Sequence, residues 1–391
     1  MSGDGIVAEL AARARAAGRL GIDTEFMGEG RYRALLCLVQ VAVEEGAAEG
    51  VRVEVLDPLE GALDPAPLAE VLADPAVEVV FHAGRQDVAL LKRVWRTPVT
   101  NIFDTQVAAG FAGRRAQLGY EALLNELLGV RLRKSASFTR WDVRPLSEEQ
   151  VRYAEEDVLH LLQLTDALQA RLQERGRLGW AREECRALES VSDERAPEQV
   201  FARLPRVNSL DPAQRAVAFE LVVWRETTAR ENDRPASSVL ADAPLVEIAK
   251  RRPRSADRLA QIRGLHEGIL RRRAPAILAA VERGRERPGI PVEGEKPVQP
   301  QDADAPLIAL GEALVRARAA EAGLAYELIA ARADLQRVVT ALRADAPEAD
   351  VRTLQGWRRA VVGDELLELL RGRRALRVGA GRRIEVSEPA A

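Results

Sequence analysis

The chain has 391 residues, too many for one ordinary hydrophobic core, and this length predicts about two to three domains. The net charge of −3 gives no global basic signal, and a stretch of about 18 apolar residues, as a membrane span requires, is absent from the sequence. Two distant cysteines, Cys37 and Cys185, exclude a disulfide framework and a cysteine-ligated zinc site. We therefore expect a soluble cytoplasmic protein, and a monomer, because the sequence contains no long heptad repeat that demands a partner.

The first part of the chain mixes strand and helix patterns. Strands are predicted at residues 20–26, 34–43, 51–56, 77–81 and 101–103. Helices are predicted at residues 6–17, 88–95 and 118–128, and a short helix is predicted within residues 59–73, with Pro67 near its first turn. The first three strands follow one another with short breaks, which indicates an antiparallel run. Together these patterns predict an α/β sheet covered by helices.

A basic, irregular loop at residues 131–146 separates these elements from a long helix. Ser147 is a natural N-cap for that helix, and Gln150 completes the pattern of a capping box. We expect the helix to continue past Leu172.

The remaining chain reads as helical. Proline-containing polar residues at 196–206 mark a boundary, and a second proline-rich stretch predicts a linker. The two helical segments have similar lengths, which suggests a divergent repeat. The predicted division is a first domain at 1–200, a helical domain at 205–285, a linker at 286–304, a second helical domain at 305–380 and a frayed tail at 381–391.

Two acids interrupt the first apolar strand. Asp23 and Glu25 lie two residues apart, so both side chains point to one face. Two carboxylates on one face repel each other, and a folded chain tolerates them most readily with a bound cation or with water between them. Oxygen ligands of this kind suit Mg²⁺ or Mn²⁺ better than zinc.

Three further residues extend this acidic pair. Asp87 follows a buried strand at the start of a helix, and Tyr153 and Asp157 lie four apart on one helix face. Each motif alone has an ordinary structural explanation, such as a helix-start acid favoured by the helix dipole. Together the four acids predict a site for two divalent ions that clamp the attacking and leaving oxygens of a phosphoryl displacement.

These motifs resemble a known enzyme family. The segments IDTEF at 22–26, HAGRQD at 82–87 and YAEED at 153–157 look like the three motifs of the DEDDy 3′–5′ exonucleases, and most closely those of the ribonuclease D family. The segments FDTQ at 103–106 and LDP at 210–212 also resemble that family, the latter in its HRDC domain. The resemblance implies a ribonuclease H-like α/β exonuclease domain followed by two small all-α HRDC-like domains.

The resemblance also implies roles for individual residues. Its metal ligands correspond to Asp23, Glu25, Asp87 and Asp157, and Tyr153 would position the attacking water. The candidate substrate contacts are Thr24, Phe26, His82 and Trp141. For His82 a satisfied structural histidine is an equal alternative, and Trp141 either stacks on a base or closes the domain edge.

The implied activity is removal of single nucleotides from RNA with a free, single-stranded 3′ end. The implied substrates are transfer RNA precursors and other small stable RNAs. Two alternatives remain open from the residues. One is a 3′–5′ DNA exonuclease on the same scaffold, since no residue identifies a reader of the 2′-hydroxyl. The other is a non-catalytic RNA-binding protein with a vestigial site.

Overall fold

The computed structural model describes residues 3–46, 50–61, 63–113, 118–132, 140–292 and 301–388. Residues 133–139 of the predicted basic loop and 293–300 of the predicted linker lie outside these residues. The strands are β1 Arg19–Met27, β2 Leu35–Glu44, β3 Val51–Leu56, β4 Glu78–Phe81, β5 Ile102–Asp104, β6 Ala375–Val378 and β7 Ile384–Ser387. No helix among the described residues is long and apolar enough to cross a membrane.

Among the described residues, nine helices belong to the first domain and its connection to the next. They are α1 Gly3–Ala17, α2 Ala66–Ala73, α3 Arg85–Val94, α4 Thr105–Phe111, α5 Tyr120–Leu128, α6 Glu148–Leu159, α7 Leu161–Glu174, α8 Leu178–Glu189 and α9 Pro197–Ala202. The others are α10 Pro212–Glu231, α11 Ala236–Val239, α12 Asp242–Arg251, α13 Ala256–Ala260, α14 Glu267–Glu286, α15 Asp304–Ala322, α16 Tyr326–Ile329, α17 Arg332–Arg343, α18 Gly356–Arg358 and α19 Asp364–Leu370. A π-helical turn, Arg359–Gly363, joins the last two.

A five-stranded mixed sheet forms the centre of the first domain. Its strand order is β3-β2-β1-β4-β5. The β1–β2 and β2–β3 pairs are antiparallel, whereas the β1–β4 and β4–β5 pairs are parallel. The predicted fold class, a mixed sheet with helices followed by all-α domains, is confirmed.

The two faces of β1 meet different helical layers. Ile22 belongs to a hydrophobic core shared with α1, α2 and α3. Gly21 lies on the other face, where an added Cβ would come within 3.3 Å of Leu161 at the start of α7. Because successive side chains alternate, this register directs the odd-numbered residues of β1 up to its bulge toward the α6–α7 layer.

The short helix expected within residues 59–73 is α2, and Pro67 lies in its first turn as predicted. Two other helical predictions differ from the structure. The helix α4 is absent from the predictions, although the buried Asp104 is an N-cap that favours it. The predicted helix that begins after Ser147 does not continue unbroken past Leu172, because the backbone leaves helical geometry at His160. This break allows the adjacent leucines at the start of α7 to be buried together.

The two helical blocks share one order of elements. Each begins with a helix of 20 or 19 residues, continues with one of four residues and then with one of 10 or 12 residues. This order agrees with the repeat expected from the sequence. The first block, α10 to α14, encloses its own hydrophobic core.

The second block, α15 to α19, instead shares a core with the first domain. Trp357 stacks on Trp180 of α8 at 5.4 Å between ring centroids and meets Phe111 of α4 edge-on at 5.0 Å. Beside this aromatic group, both oxygens of Glu184 accept hydrogen bonds from the guanidinium of Arg358. The block is therefore packed as a fixed part of the first domain.

The end of the chain corrects two predictions. The helical pattern expected to reach residue 378 ends at Leu370, and residues predicted as a frayed tail form the strand β7. β6 and β7 pair as an antiparallel hairpin, in which Leu376 lies opposite Val386. Gly381 in the connecting turn has a φ of 73°. A glycine-rich turn between alternating apolar residues is a hairpin pattern, and it outweighs the helical composition of the preceding residues.

Candidate active site

Three of the predicted acids meet above one face of the sheet. Asp23 and Glu25 extend from β1 toward α6, which carries Asp157. Oxygen atoms of the three carboxylates lie within 4.8 Å of one another. Strand alternation accounts for the pair on β1, whereas the approach of Asp157 depends on the packing of α6 against β1, β2 and β3.

The fourth acid reaches the site from the α3 layer. Asp87 lies in the first turn of α3 and is 7% exposed. Thr24 points to this layer, and its buried hydroxyl donates a hydrogen bond to Oδ1 of Asp87. Asp87 does not belong to this mutually close group of three, but after burial its charge raises the pKa of Asp23 most. We refer to Asp23, Glu25, Asp87 and Asp157 as the acidic cluster.

Burial and mutual repulsion raise the pKa values of the acidic cluster. Burial raises the pKa of Glu25 to about 8, and the charges of Asp157 and Asp87 add to this effect. Burial also raises the pKa of Asp157 to about 7, with a further contribution from Glu156. In the described part of the chain, these four acids form no ion pair with lysine or arginine. Such a set of oxygen ligands therefore fits a divalent cation.

Tyr153 lies one helical turn before Asp157 on α6. Burial, followed by the charge of Asp157, raises the pKa of its hydroxyl well above the usual value. The hydroxyl therefore keeps its proton at neutral pH and can both donate and accept a hydrogen bond. The Tyr153 ring packs at 5.9 Å from that of Trp141. The capping box of Ser147 and Gln150, as predicted, begins this helix.

A buried carboxylate fixes the turn that precedes Asp87. Asp104, which is 1% exposed, accepts hydrogen bonds from the backbone N–H groups of Ala83 at 3.2 Å and Gly84 at 2.9 Å. It also accepts the N–H groups of Gln106 and Val107 at the start of α4. The turn is tight, since Ala83 has a φ of 57° and an added Cβ on Gly84 would lie 2.4 Å from the Phe81 side chain. Sequence reasoning missed this role, although an aspartate directly before a helix was a usable signal.

Comparison with known proteins places this site in a family. A family model described as 3′–5′ exonuclease matches residues 3–173, and one described as HRDC domain matches residues 214–281. A protein named ribonuclease D from Granulibacter bethesdensis is 38% identical over 90% of this chain and 87% of its own length. A protein of the same name from Gluconacetobacter diazotrophicus is 37% identical over 93% of this chain and 90% of its own length. The chain belongs to the ribonuclease D family.

A solved structure supports the same assignment. Escherichia coli RNase D, whose crystal structure is known, is 28% identical in sequence to this chain. The two structures superimpose with a TM-score of 0.81 over 94% of this chain and 97% of the E. coli chain. The catalytic core of RRP6 from Trypanosoma brucei is 25% identical over 72% of this chain and 76% of its own, with a TM-score of 0.53. The predicted enzyme class, a 3′–5′ exoribonuclease of the ribonuclease D type, is confirmed.

The residues expected to contact substrate in this ribonuclease D family member differ in exposure. Phe26 lines an open cleft next to Glu25. Thr24 and Trp141 are 5% and 3% exposed, so the structure favours packing for Trp141 over stacking on a base. His82 shares a hydrogen bond of 2.9 Å with Thr105, and burial lowers its pKa, which favours the structural alternative. The substrate contacts otherwise stay predictions.

Tyr120 is a further residue near the acidic cluster whose role was not predicted. Its ring lies 5.3 Å from that of His82. Its hydroxyl is buried beside the backbone of His160. Burial, and then the charge of Asp157, raise the pKa of this hydroxyl, so it remains protonated beside the cluster. A tyrosine at a helix start carries no sequence signal for such a position.

Replacing Asp104 with alanine is expected to lower the free energy of unfolding by about 2–4 kcal/mol, because four backbone N–H groups lose their acceptor. The turn before Asp87 should also loosen, which lowers kcat. Urea unfolding and exonuclease assays measure the two effects. Asp104→Asn retains one carbonyl oxygen and should fall between the wild type and the alanine variant. An unchanged urea midpoint for Asp104→Ala would contradict this role.

The raised pKa values predict that the metal-free protein loses stability as pH rises. Between about pH 4.5 and pH 8, the folded state retains protons on Glu25 and Asp157 that the unfolded chain has released. Stability is then lost with rising pH across that window. A divalent cation replaces those protons, so we expect Mn²⁺ to raise the melting temperature at least about twofold more at pH 8 than at pH 5.5.

Differential scanning fluorimetry with Mn²⁺ or EDTA measures this difference. Glu25→Gln is the informative variant, since it should raise the melting temperature in EDTA at pH 8 and flatten the pH dependence. If Mn²⁺ raised the melting temperature by the same amount at both pH values, this result would argue against ion binding at the acidic cluster.

Proposed function

We propose that this chain removes nucleotides one at a time from RNA 3′ ends by two-metal-ion hydrolysis and releases 5′-mononucleotides. The observation that carries the mechanism is the acidic cluster, in which three carboxylates converge within 4.8 Å and a fourth is coupled to them. Repulsion within this group costs free energy that bound Mg²⁺ or Mn²⁺ would relieve.

The side chains divide into two roles in this proposal. Asp23, Glu25, Asp87 and Asp157 would hold two divalent ions, and such ions supply an activated water and stabilise the attacking and leaving oxygens. Tyr153 would hold the water through its protonated hydroxyl. Thr24 would keep Asp87 oriented through the hydrogen bond seen in the structure.

The proposed substrates are structured RNAs with a free, single-stranded 3′ end. The E. coli relative is described as an exoribonuclease involved in structured RNA processing, and it covers 94% of this chain. We extend this to precursors of transfer RNA and other small stable RNAs. The HRDC-matching block at residues 214–281 would help to hold the RNA.

We also propose that the enzyme works in the cytoplasm as a monomer. Cys37 and Cys185 are buried free thiols, which suits a reducing compartment. Size-exclusion chromatography with light scattering tests the monomer, and the expected mass is that of one 42.8 kDa chain.

A time course on an RNA labelled at its 5′ end, with a 3′ overhang, tests the function in Mn²⁺. The expected product is a ladder that shortens by single nucleotides and disappears in EDTA. Matched DNA in the same assay separates the two nuclease alternatives, because degradation of DNA with unchanged RNA would favour a DNA exonuclease. Binding of RNA in EDTA without cleavage in Mn²⁺ would favour a non-catalytic binding protein.

A further inference from the structure

A cleft of about 660 Å³ is lined by chain neighbours of two acids of the acidic cluster. Phe26, which follows Glu25 in β1, lies on one wall with Arg85, which precedes Asp87 by two residues. Residues between 187 and 203 supply the other wall, at the connection to the first helical block. The cleft thus extends from the immediate neighbours of Glu25 and Asp87 in the chain to the boundary between domains.

Unpaired positive charge lines this cleft. Arg85, Arg195 and Arg203 are exposed, and their side chains have no ion pair or hydrogen bond within the described part of the chain. A free guanidinium presents a fork of N–H donors that matches phosphate oxygens in bidentate fashion.

The two acids of the cleft do not cancel these charges, because each has its own partner. Asp193 accepts a hydrogen bond of 2.6 Å from Arg93 of α3. Glu194 forms an ion pair with Arg33 at 3.0 Å. The three free arginines thus leave the cleft net positive next to a strongly acidic site.

A second cavity of about 330 Å³ extends the cleft toward the first helical block. Its wall is a contact between that block and the loop that joins β1 to β2. There Tyr32 donates a hydrogen bond of 3.2 Å to Glu226, and Arg31 pairs with Asp233 at 2.7 Å. The two cavities share four lining residues, namely Tyr32, Arg33, Asp193 and Arg195.

We propose that this cleft binds the RNA strand that leads into the active site, with Arg85, Arg195 and Arg203 as ligands of the phosphates before the 3′-terminal nucleotide. The inference rests on the proposed exoribonuclease function and assigns its substrate path. A strand fits better than a small anion, because the arginines come from three separate segments of a cleft that begins at chain neighbours of Glu25 and Asp87 and reaches the helical block.

The double variant Arg195→Gln/Arg203→Gln tests this path with RNAs of two lengths. A dinucleotide contains only the scissile phosphate, whereas an RNA of about 12 nucleotides also places phosphates in the cleft. For the longer RNA we expect KM to rise about tenfold, which corresponds to about 1.4 kcal/mol for the two lost contacts together, with kcat within about twofold. The kinetics of the dinucleotide should stay within about twofold of the wild type.

Salt dependence gives a second readout. Two lost phosphate contacts should reduce the slope of log KM against log salt by about 1.4 for single-stranded RNA. Arg337→Gln is the matched control, since Arg337 is exposed on α17 and has no charged partner in the described chain. This control should leave both KM and the slope unchanged. Arg195→Lys/Arg203→Lys retains the charges and should recover part of the loss.

Two results would overturn the path. One is an unchanged KM for the longer RNA in the glutamine double variant, and the other is an equal rise for the dinucleotide, which would locate the effect in the catalytic site. Fluorescence anisotropy of the longer RNA in EDTA measures binding without cleavage. A wild type that binds RNA but does not cut it refutes the proposed function, while equal affinity of the wild type and the double variant refutes the path alone.

Discussion

Replacing Asp23 with asparagine is expected to lower kcat by about 10³-fold or more while the protein stays folded. Asp23 is the acid most strongly coupled to its neighbours, since burial and then the charges of Asp87, Asp157 and Glu25 raise its pKa. The amide preserves the shape of the side chain but removes the charge that holds a cation. A loss of about 4 kcal/mol of transition-state stabilisation corresponds to about 10³ in rate.

The thermal stability of Asp23→Asn in the absence of metal should increase, although its kcat falls. Removing one of four repelling carboxylates is expected to raise the melting temperature in EDTA, and the shift produced by Mn²⁺ should become smaller. A loss of activity caused by unfolding would instead lower the melting temperature.

Glu155→Gln is the matched control for Asp23→Asn. Glu155 is an exposed acid on α6, two residues before Asp157, and it is outside the acidic cluster. Its replacement should leave kcat within about twofold of the wild type. If Asp23→Asn retained more than about a tenth of the activity, the metal-ligand role assigned to Asp23 would be wrong.

Much of the site could be predicted because it follows from local periodicities. Alternation along β1 places Asp23 and Glu25 on one face, and a spacing of four places Tyr153 and Asp157 on one side of α6. These rules depend only on neighbours in the chain. The convergence of both pairs is a tertiary contact, and the family resemblance, rather than periodicity, carried that part of the prediction.

The missed features depend on contacts between residues far apart in the chain. The hydrogen bond from Thr24 to Asp87 joins residues 63 positions apart, and Asp104 accepts backbone N–H groups about 20 positions earlier. No local pattern distinguishes Thr24 from an ordinary polar strand residue, and the N-cap position of Asp104 does not reveal its bonds to Ala83 and Gly84. The hairpin of β6 and β7 was missed for a different reason. Its arginine-rich first strand was predicted to be helical, although a glycine-rich turn follows at residues 379–381.

The division into domains also depends on contacts between residues far apart in the chain. Residues 305–380 were predicted as a separate helical domain, and their boundaries stay a prediction. The structure, however, joins this block to α4, α5, α7 and α8 through one hydrophobic core. Composition identified the segment as helical but did not show which surface its apolar side chains would cover.

Trp357→Ala is expected to lower the free energy of unfolding by about 3–5 kcal/mol. Trp357 is 3% exposed and fills the junction between the second helical block and the first domain. Its ring contacts Trp180 and Phe111, and its Nε1 donates a hydrogen bond of 3.0 Å to Glu184. Truncation would leave a cavity in the shared core and remove one partner of a part-buried carboxylate.

Because the core is shared, the variant should weaken the first domain as well as the second block. Urea unfolding followed by circular dichroism, with exonuclease activity measured at the same urea concentrations, should show both signals lost together, at a lower midpoint than in the wild type. Trp357→Phe retains an aromatic ring against Trp180 and should lose only about 1–2 kcal/mol. If activity persisted at urea concentrations that unfold residues 304–370, the block would be an independent domain, and the packing of Trp357 would not stabilise the exonuclease domain.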